Sequence, residues 1–105
     1  MSSRASKEGI KHDEGKLRVD LLPTQPLQAI AAVLTHGAVK YGARNWEKGM
    51  AWHRAYGAAL RHLLAWWSGS DKDSETGLSH LAHAACEILF LLQYQAHNMG
   101  EDDRP

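Results

Sequence analysis

Apolar residues recur at helical spacing in three stretches of the chain. Behind Pro26 they form one stripe of a helix that Gly42 ends, at Leu27, Ile30, Ala31, Leu34, Ala38 and Tyr41. The second stretch predicts a helix from Trp52 to Trp67, and the third predicts one from about Leu78 to His97. Because no segment of useful length alternates with period two, the pattern predicts an all-α fold, a small helical bundle.

The predicted helices form a single domain at residues 12–98. It lies between a flexible N-terminal tail at 1–11 and an acidic C-terminal tail at 99–105, which we expect to be loosely attached. A chain of 105 residues buries only about two-thirds of its unfolded surface. We expect the second helix to bury Trp52, Tyr56, Ala59, Leu60, Leu63 and Trp67, and the third to bury Leu81, Ala85, Ile88 and Leu92. Because this is more apolar surface than one small bundle covers, we expect a homodimer or a homotetramer.

The composition narrows the class of protein further. Lys and Arg number 12, and so do Asp and Glu, which argues against a basic surface for nucleic acid. No apolar run approaches the ~20 residues of a membrane span, and the polar start is no secretory signal. The single Cys86 excludes an internal disulfide and fits a reducing compartment. We therefore expect a cytoplasmic protein that binds neither nucleic acid nor membranes.

A cluster of metal-ligand types begins the third helix. His80, His83 and Glu87 stand at i, i+3 and i+7, so their side chains project within roughly 60° of one another. His62 on the second helix could close the same cavity, and the preceding loop supplies Asp71, Asp73 and Glu75. Mixed imidazole and carboxylate ligands suit Mn²⁺, Co²⁺ or Zn²⁺ better than Mg²⁺. The alternative is that these histidines are caps and polar rim residues of the bundle.

Other residues offer contacts for an anionic ligand and an aromatic ring. The candidate cations, which are equally typical of a solvated surface, are Lys16, Arg18, Lys40 and Arg61. Asn45 and Trp46 lie on a loop between Gly42 and Gly49, where Trp46 stacks on a base or covers the small core, and Asn45 reads a base edge.

Three segments in the same order resemble a known family: "KHDEGKLRVDLLP", "HGAVKYGARNWEKG" and "LRHLLAWWSGSDKDSETGLSHLAHA". Together they are similar to the small, mostly phage-encoded, MazZ-like dATP/dGTP diphosphohydrolases, part of the MazG-like superfamily. The resemblance covers about residues 11–97. It implies an oligomeric all-α pyrophosphohydrolase in the cytoplasm of a bacterial host. The implied activity is metal-dependent conversion of dGTP or GTP, with dATP as a further candidate, to the monophosphate and pyrophosphate in phage nucleotide metabolism. In those phages that replace adenine by 2-aminoadenine, such an enzyme supplies dGMP for the synthesis of that DNA.

The chain departs from the superfamily at its metal ligands. MazG proteins bind Mg²⁺ through helical carboxylates in an ExxE…ExxD arrangement, but no acid other than Glu47 occurs between Leu21 and Ser70. Glu87 stands in place of the Asp, and Ala84 in place of its partner Glu. We infer that the missing carboxylates are replaced by His62, Asp71, Asp73, His80 and His83.

We assign the catalytic roles on the hypothesis of a metal-dependent diphosphohydrolase. Glu75, as an acid of the loop, or Glu87 would take the proton of the attacking water, and Arg61 with Lys16 and Lys40 would neutralise the pyrophosphate. Two alternatives stay open. One is a triphosphohydrolase of the HD type, which the loop position of the His12-Asp13 pair argues against. The other is a non-catalytic helical oligomer that binds a nucleotide.

Overall fold

The computed structural model describes residues 8–105, so residues 1–7 of the predicted N-terminal tail lie outside the described part. Three helices form: α1 at Thr24–Tyr41, α2 at Trp52–Trp67 and α3 at His80–His97, with 3-10 turns at Val19–Leu21 and Asn45–Lys48. Within residues 8–105 there is no β-strand, only isolated bridges between residues 51 and 101 and between residues 72 and 79. The predicted all-α class is confirmed. None of these helices has the length and hydropathy of a membrane-crossing segment.

The helix ends follow from local capping. α1 carries Pro26 in its first turn and ends before Gly42, whose φ is 94° and whose N–H donates to Ala38 O. The bounds of α2 are those predicted from its apolar stripe. α3 begins two residues later than predicted because Ser79 is its cap, with a hydroxyl that accepts from Ala82 N–H at 3.2 Å.

The core lies between α2 and α3, which run antiparallel. The start of α2 meets the end of α3, where Trp52 Nε1 donates to Met99 O at 2.9 Å. α1 packs on α3 from the other side, where the Cys86 thiol contacts Ile30 O at 3.5 Å. The buried residues are mostly small, which lets the helix backbones approach closely: Ala55, Ala59, Ala82, Ala84, Cys86 and Tyr94.

The larger apolar side chains of both helices face outward, so the single chain does not itself bury most of the predicted apolar faces. Leu81, Ile88 and Leu92 of α3 are 42%, 47% and 58% exposed. On α2, only Ala59 of the predicted stripe is fully buried, whereas Tyr56 and Trp67 are exposed. The apolar stripe of α1 contributes no fully buried residue either. The physical reason is that the α2–α3 contact is close and accommodates alanine, which leaves the bulky residues on the opposite faces.

The C-terminal tail is not loosely attached, contrary to expectation. Glu101 N–H donates to Met50 O at 3.2 Å, and Glu101 O accepts from Trp52 N–H at 2.9 Å. Asp103 accepts from His53 N–H at 2.9 Å and also contacts the His53 ring. We call residues 99–104, paired in this way with residues 50–53, the C-terminal clasp.

Two glycines allow the clasp to close. Gly49 and Gly100 have φ angles of 82° and 72°, in the left-handed region that favours glycine. A Cβ at Gly49 would come within 2.8 Å of Gly100 N, and a Cβ at Gly100 would collide with Met50 O. The two backbone segments therefore cross at a contact that no other residue fits without displacement.

Candidate functional site

Three histidines from two helices meet at the end of the α2–α3 pair opposite the clasp. The His62 and His80 Nδ1 atoms are 2.9 Å apart. The His62 ring also stacks on the His83 ring, with centroids 4.5 Å apart and an interplanar angle of 8°. The i, i+3 spacing of His80 and His83 places them on one side of α3, and the antiparallel packing brings His62 opposite them.

The connector between α2 and α3 folds back on the start of α3. Asp73 N–H donates to Leu78 O at 2.8 Å, and Asp73 O accepts from Gly77 N–H at 2.7 Å. The His80 N–H donates to Asp71 O at 3.0 Å, which fixes Asp71 of the connector beside the first residue of α3. This hairpin carries the Asp73 carboxylate to the histidines.

Thr76 joins the Asp73 carboxylate to the third imidazole. Asp73 Oδ2 accepts from the Thr76 N–H at 2.9 Å and from the Thr76 hydroxyl at 3.1 Å. The same hydroxyl oxygen lies 2.8 Å from His83 Nε2. A hydroxyl has one proton, so when it donates to Asp73 the His83 Nε2–H is the donor to Thr76. The chain of bonds thereby orients both Asp73 and His83.

The cluster fits a divalent cation. One nitrogen or oxygen atom from each of His62, Asp73 and His80 lies within 4.8 Å of the others. Burial lowers the pKa of His62 and of His83, and the neighbouring imidazoles lower both further. Burial opposes ionisation of Asp73, but the bonds from Thr76 outweigh it and lower the pKa of this carboxyl. Neutral imidazoles beside an ionised carboxylate are the forms that bind metal.

A cavity of about 980 Å³ opens beside the cluster. His83 lines it near the cluster, and Phe90 lines it about 10 Å further along α3. Phe90 stacks on Trp46, with ring centroids 4.8 Å apart. The Tyr94 hydroxyl donates to Trp46 O at 2.6 Å and fixes the loop that carries Trp46 and Asn45 over the cavity. The cavity therefore has a polar end at the histidines and an aromatic end at Trp46 and Phe90.

Four cationic residues line the same cavity, and Lys40 and Arg61 are the two among them that were predicted from the sequence; two further acids, Glu75 and Glu87, also line it. Lys40 Nζ donates to Glu75 Oε1 at 2.8 Å, a bond that raises the pKa of Lys40 and lowers that of Glu75. Arg61 forms no ion pair within 4 Å of an acid in residues 8–105, and its guanidinium lies beside Gly57. Glu87 is half-buried, and burial raises the pKa of its carboxyl to about 7, against the opposing effect of Arg61.

Some of the predicted site residues do not line the cavity beside the histidines. Lys16 and Arg18 line a separate cavity of about 530 Å³ in the N-terminal loop, where Arg18 pairs with Asp20 at 2.8 Å. The Asp71 side chain is exposed and does not line the cavity, and the buried His80 reaches it only through His62. The contacts that the sequence analysis missed are those of Thr76, Phe90 and Tyr94.

Comparisons with known proteins give one family and one curated relative. The family model described as "dATP/dGTP diphosphohydrolase, N-terminal" matches residues 6–104. A dATP/dGTP diphosphohydrolase of Salmonella phage PMBT28 is 38% identical over 96 residues, which are 91% of this chain and 33% of the phage protein. The chain thus spans about a third of the length of that relative. No solved structure matches the chain.

Proposed function

Because the chain belongs to the family of dATP/dGTP diphosphohydrolase N-terminal domains, we propose that it hydrolyses dATP or dGTP to the monophosphate and pyrophosphate with a divalent cation. The observation that carries the proposal is the convergence of His62, Asp73 and His80 beside a cavity whose far end holds two stacked aromatic rings. A triphosphate at the polar end and a base at the aromatic end would fill such a cavity.

The cation would be held by His62, Asp73 and His80, with Mn²⁺, Co²⁺ or Zn²⁺ favoured by the imidazoles and Mg²⁺ by the superfamily resemblance. When bound, such an ion neutralises phosphate oxygens and lowers the pKa of a water ligand. His83 and Thr76 hold the Asp73 carboxylate in place, so we assign them positioning roles. Asp71 contributes through its backbone, by fixing the start of α3.

We assign phosphate binding, proton transfer and base binding to residues that line the cavity. Arg61, which has no acidic partner in the described part of the chain, is free to bind a phosphate. Lys40 is held by Glu75, so an incoming triphosphate competes with Glu75 for this cation. Once released, the ionised Glu75 is the acid of the connector that accepts the proton of the attacking water. Trp46 and Asn45 hold the base.

The exposed apolar faces of α2 and α3 support a homodimer or homotetramer. Leu81, Ile88 and Leu92 form one stripe along α3 that this chain leaves open. We propose that a second copy covers it. Size-exclusion chromatography with light scattering should give a multiple of the 11.7 kDa chain mass. An Ile88→Asp variant should elute at the single-chain mass, and a wild-type monomer would contradict the proposal.

The activity is tested by incubating the protein with each (deoxy)nucleoside triphosphate and Mn²⁺ or Mg²⁺, followed by anion-exchange analysis of the products. We expect a purine monophosphate and pyrophosphate. A nucleoside with tripolyphosphate would indicate the HD-type reaction, and nucleotide binding without turnover would indicate the non-catalytic oligomer. The variant His62→Ala should lose turnover, whereas His97→Ala, on an exposed residue at the end of α3, should retain it.

A further inference from the structure

Glu87 is a half-buried acid to which the mechanism above gives no task. It lines the cavity, yet its carboxyl group makes no hydrogen bond or ion pair within residues 8–105. Its charged and titratable neighbours are Arg61 on α2 and Cys86 and Tyr94 on α3. A carboxyl group without a partner in such a place reduces stability. Its position is therefore explained best by a ligand that supplies the missing hydrogen bonds.

The position of Glu87 along α3 separates it from the histidine end of the cavity. At a rise of about 1.5 Å per residue, it lies about 6 Å beyond His83 and about 4.5 Å before Phe90. Phe90 stacks on Trp46, which the Tyr94 hydroxyl holds in place. Glu87 thus stands at the edge of the aromatic end, where a base held by Trp46 would present its polar rim.

The two purines differ at that rim. Guanine presents two neighbouring donors, N1–H and the N2 amino group, whereas adenine presents one donor, the N6 amino group, beside the acceptor N1. An ionised carboxylate accepts two parallel hydrogen bonds, which is the complement of guanine. On the basis of the hydrolase function proposed above, we propose that Glu87 binds the Watson–Crick edge of the purine and sets the choice between guanine and adenine.

The protonation of Glu87 supports this role. Burial raises the pKa of the carboxyl to about 7, so the neutral form is also populated near neutral pH. A neutral carboxyl has one donor and one acceptor, the complement of adenine. One side chain can therefore serve both of the purines in the name of the family. The sequence offered Glu87 as an alternative proton acceptor for the attacking water, but its place at the aromatic end favours contact with the base.

The test compares dGTP and dATP with the Glu87→Gln variant of the full chain. The amide keeps the size of the side chain but has one donor and one acceptor, so it pairs with N1 and the N6 amino group of adenine, whereas in the register proposed for guanine it loses one of the two bonds from N1–H and N2–H. We expect the ratio of kcat/KM for dATP to that for dGTP to rise roughly 5- to 150-fold, the effect of one bidentate base contact. The matched control, Glu47→Gln, changes an acid that does not line the cavity and should leave the ratio unchanged.

Each outcome decides the role of Glu87. An equal loss with both substrates would assign Glu87 to proton transfer or to folding and overturn the proposal, and so would an unchanged ratio. If Glu87→Gln does not fold, the wild-type protein is assayed with dITP, which lacks the N2 amino group, and an equal kcat/KM for dITP and dGTP would overturn it. If the wild type hydrolyses no triphosphate, the proposed function fails by itself. The choice of base is then tested by calorimetric titration of the wild type and Glu87→Gln with dGMP and dAMP. If the substitution changes both affinities equally, the proposed role of Glu87 is refuted.

Discussion

The free energy of unfolding should depend on pH through Glu87, and the substitution Glu87→Gln should remove that dependence. Burial raises the pKa of this carboxyl from an ordinary 4.5 to about 7 in the folded protein, while the charge of Arg61 acts in the opposite direction. Between these two values the native state binds more protons than the unfolded chain. The free energy of unfolding contributed by Glu87 therefore falls as the pH rises from about 4.5 to about 7, and it is constant above that range.

The size of the effect follows from the two values. The difference between 4.5 and about 7 corresponds to roughly 3 kcal/mol for a group fully shielded from water. Because Glu87 faces an open cavity, water solvates part of its charge, and we expect about 1–2 kcal/mol. His62 and His83 act with the opposite sign, since their pKa values are lowered on folding and their contribution to stability rises with pH toward neutrality. The contribution of Glu87 is therefore obtained from the difference in the free energy of unfolding between the wild type and Glu87→Gln.

The assay is guanidinium denaturation followed by far-UV circular dichroism, with a chelator present, at several pH values between about 5 and 8. The stability of Glu87→Gln relative to wild type should increase from about pH 5 to about pH 7 and then level off. Glu47→Gln, at a half-exposed acid paired with Arg44, should show no such trend. A difference between wild type and Glu87→Gln that stays constant with pH would refute the argument that burial controls the ionisation of this carboxyl.

Three further predictions concern the cluster, the aromatic end and the clasp. Asp73→Asn should abolish Mn²⁺ binding in calorimetric titrations, because the ionised oxygen that Thr76 orients is lost; unchanged affinity would exclude Asp73 as a ligand. Tyr94→Phe should lower the free energy of unfolding by about 1–2 kcal/mol, since it leaves Trp46 O without its partner, and should raise KM for dGTP; an unchanged denaturation midpoint would contradict this. Gly100→Ala should lower stability by more than about 1 kcal/mol because its φ is positive and Met50 blocks a Cβ. A matched Gly69→Ala variant, with positive φ but open space, should lose less.

The helices were predictable because their signals are local. Apolar spacing and the glycine at residue 42 define α1 and α2, whereas the first residue of α3 depends on the cap at Ser79. The buried faces were not predictable from spacing alone. Hydrophobic periodicity assigns the largest apolar residues to the interior, but the close α2–α3 contact accepts alanine, and Ile88 and Trp67 remain on the surface.

The histidine cluster was predictable for a related reason. His80 and His83 share a helix face, and a short connector from α2 brings His62 near them. The roles of Thr76 and Phe90 depend on how the connector folds back and how the Trp46 loop crosses α3, which spacing along the chain does not specify. The same holds for the N-terminal loop, whose basic residues line a cavity of their own.

The connector hairpin and the C-terminal clasp tie α2 to α3 at opposite ends, so neither helix can slide along the other. The span from the histidines to the Trp46–Phe90 pair is consequently set within one chain. If the proposed hydrolase function holds, the distance between the metal ligands and the base contacts does not depend on a second copy of the chain.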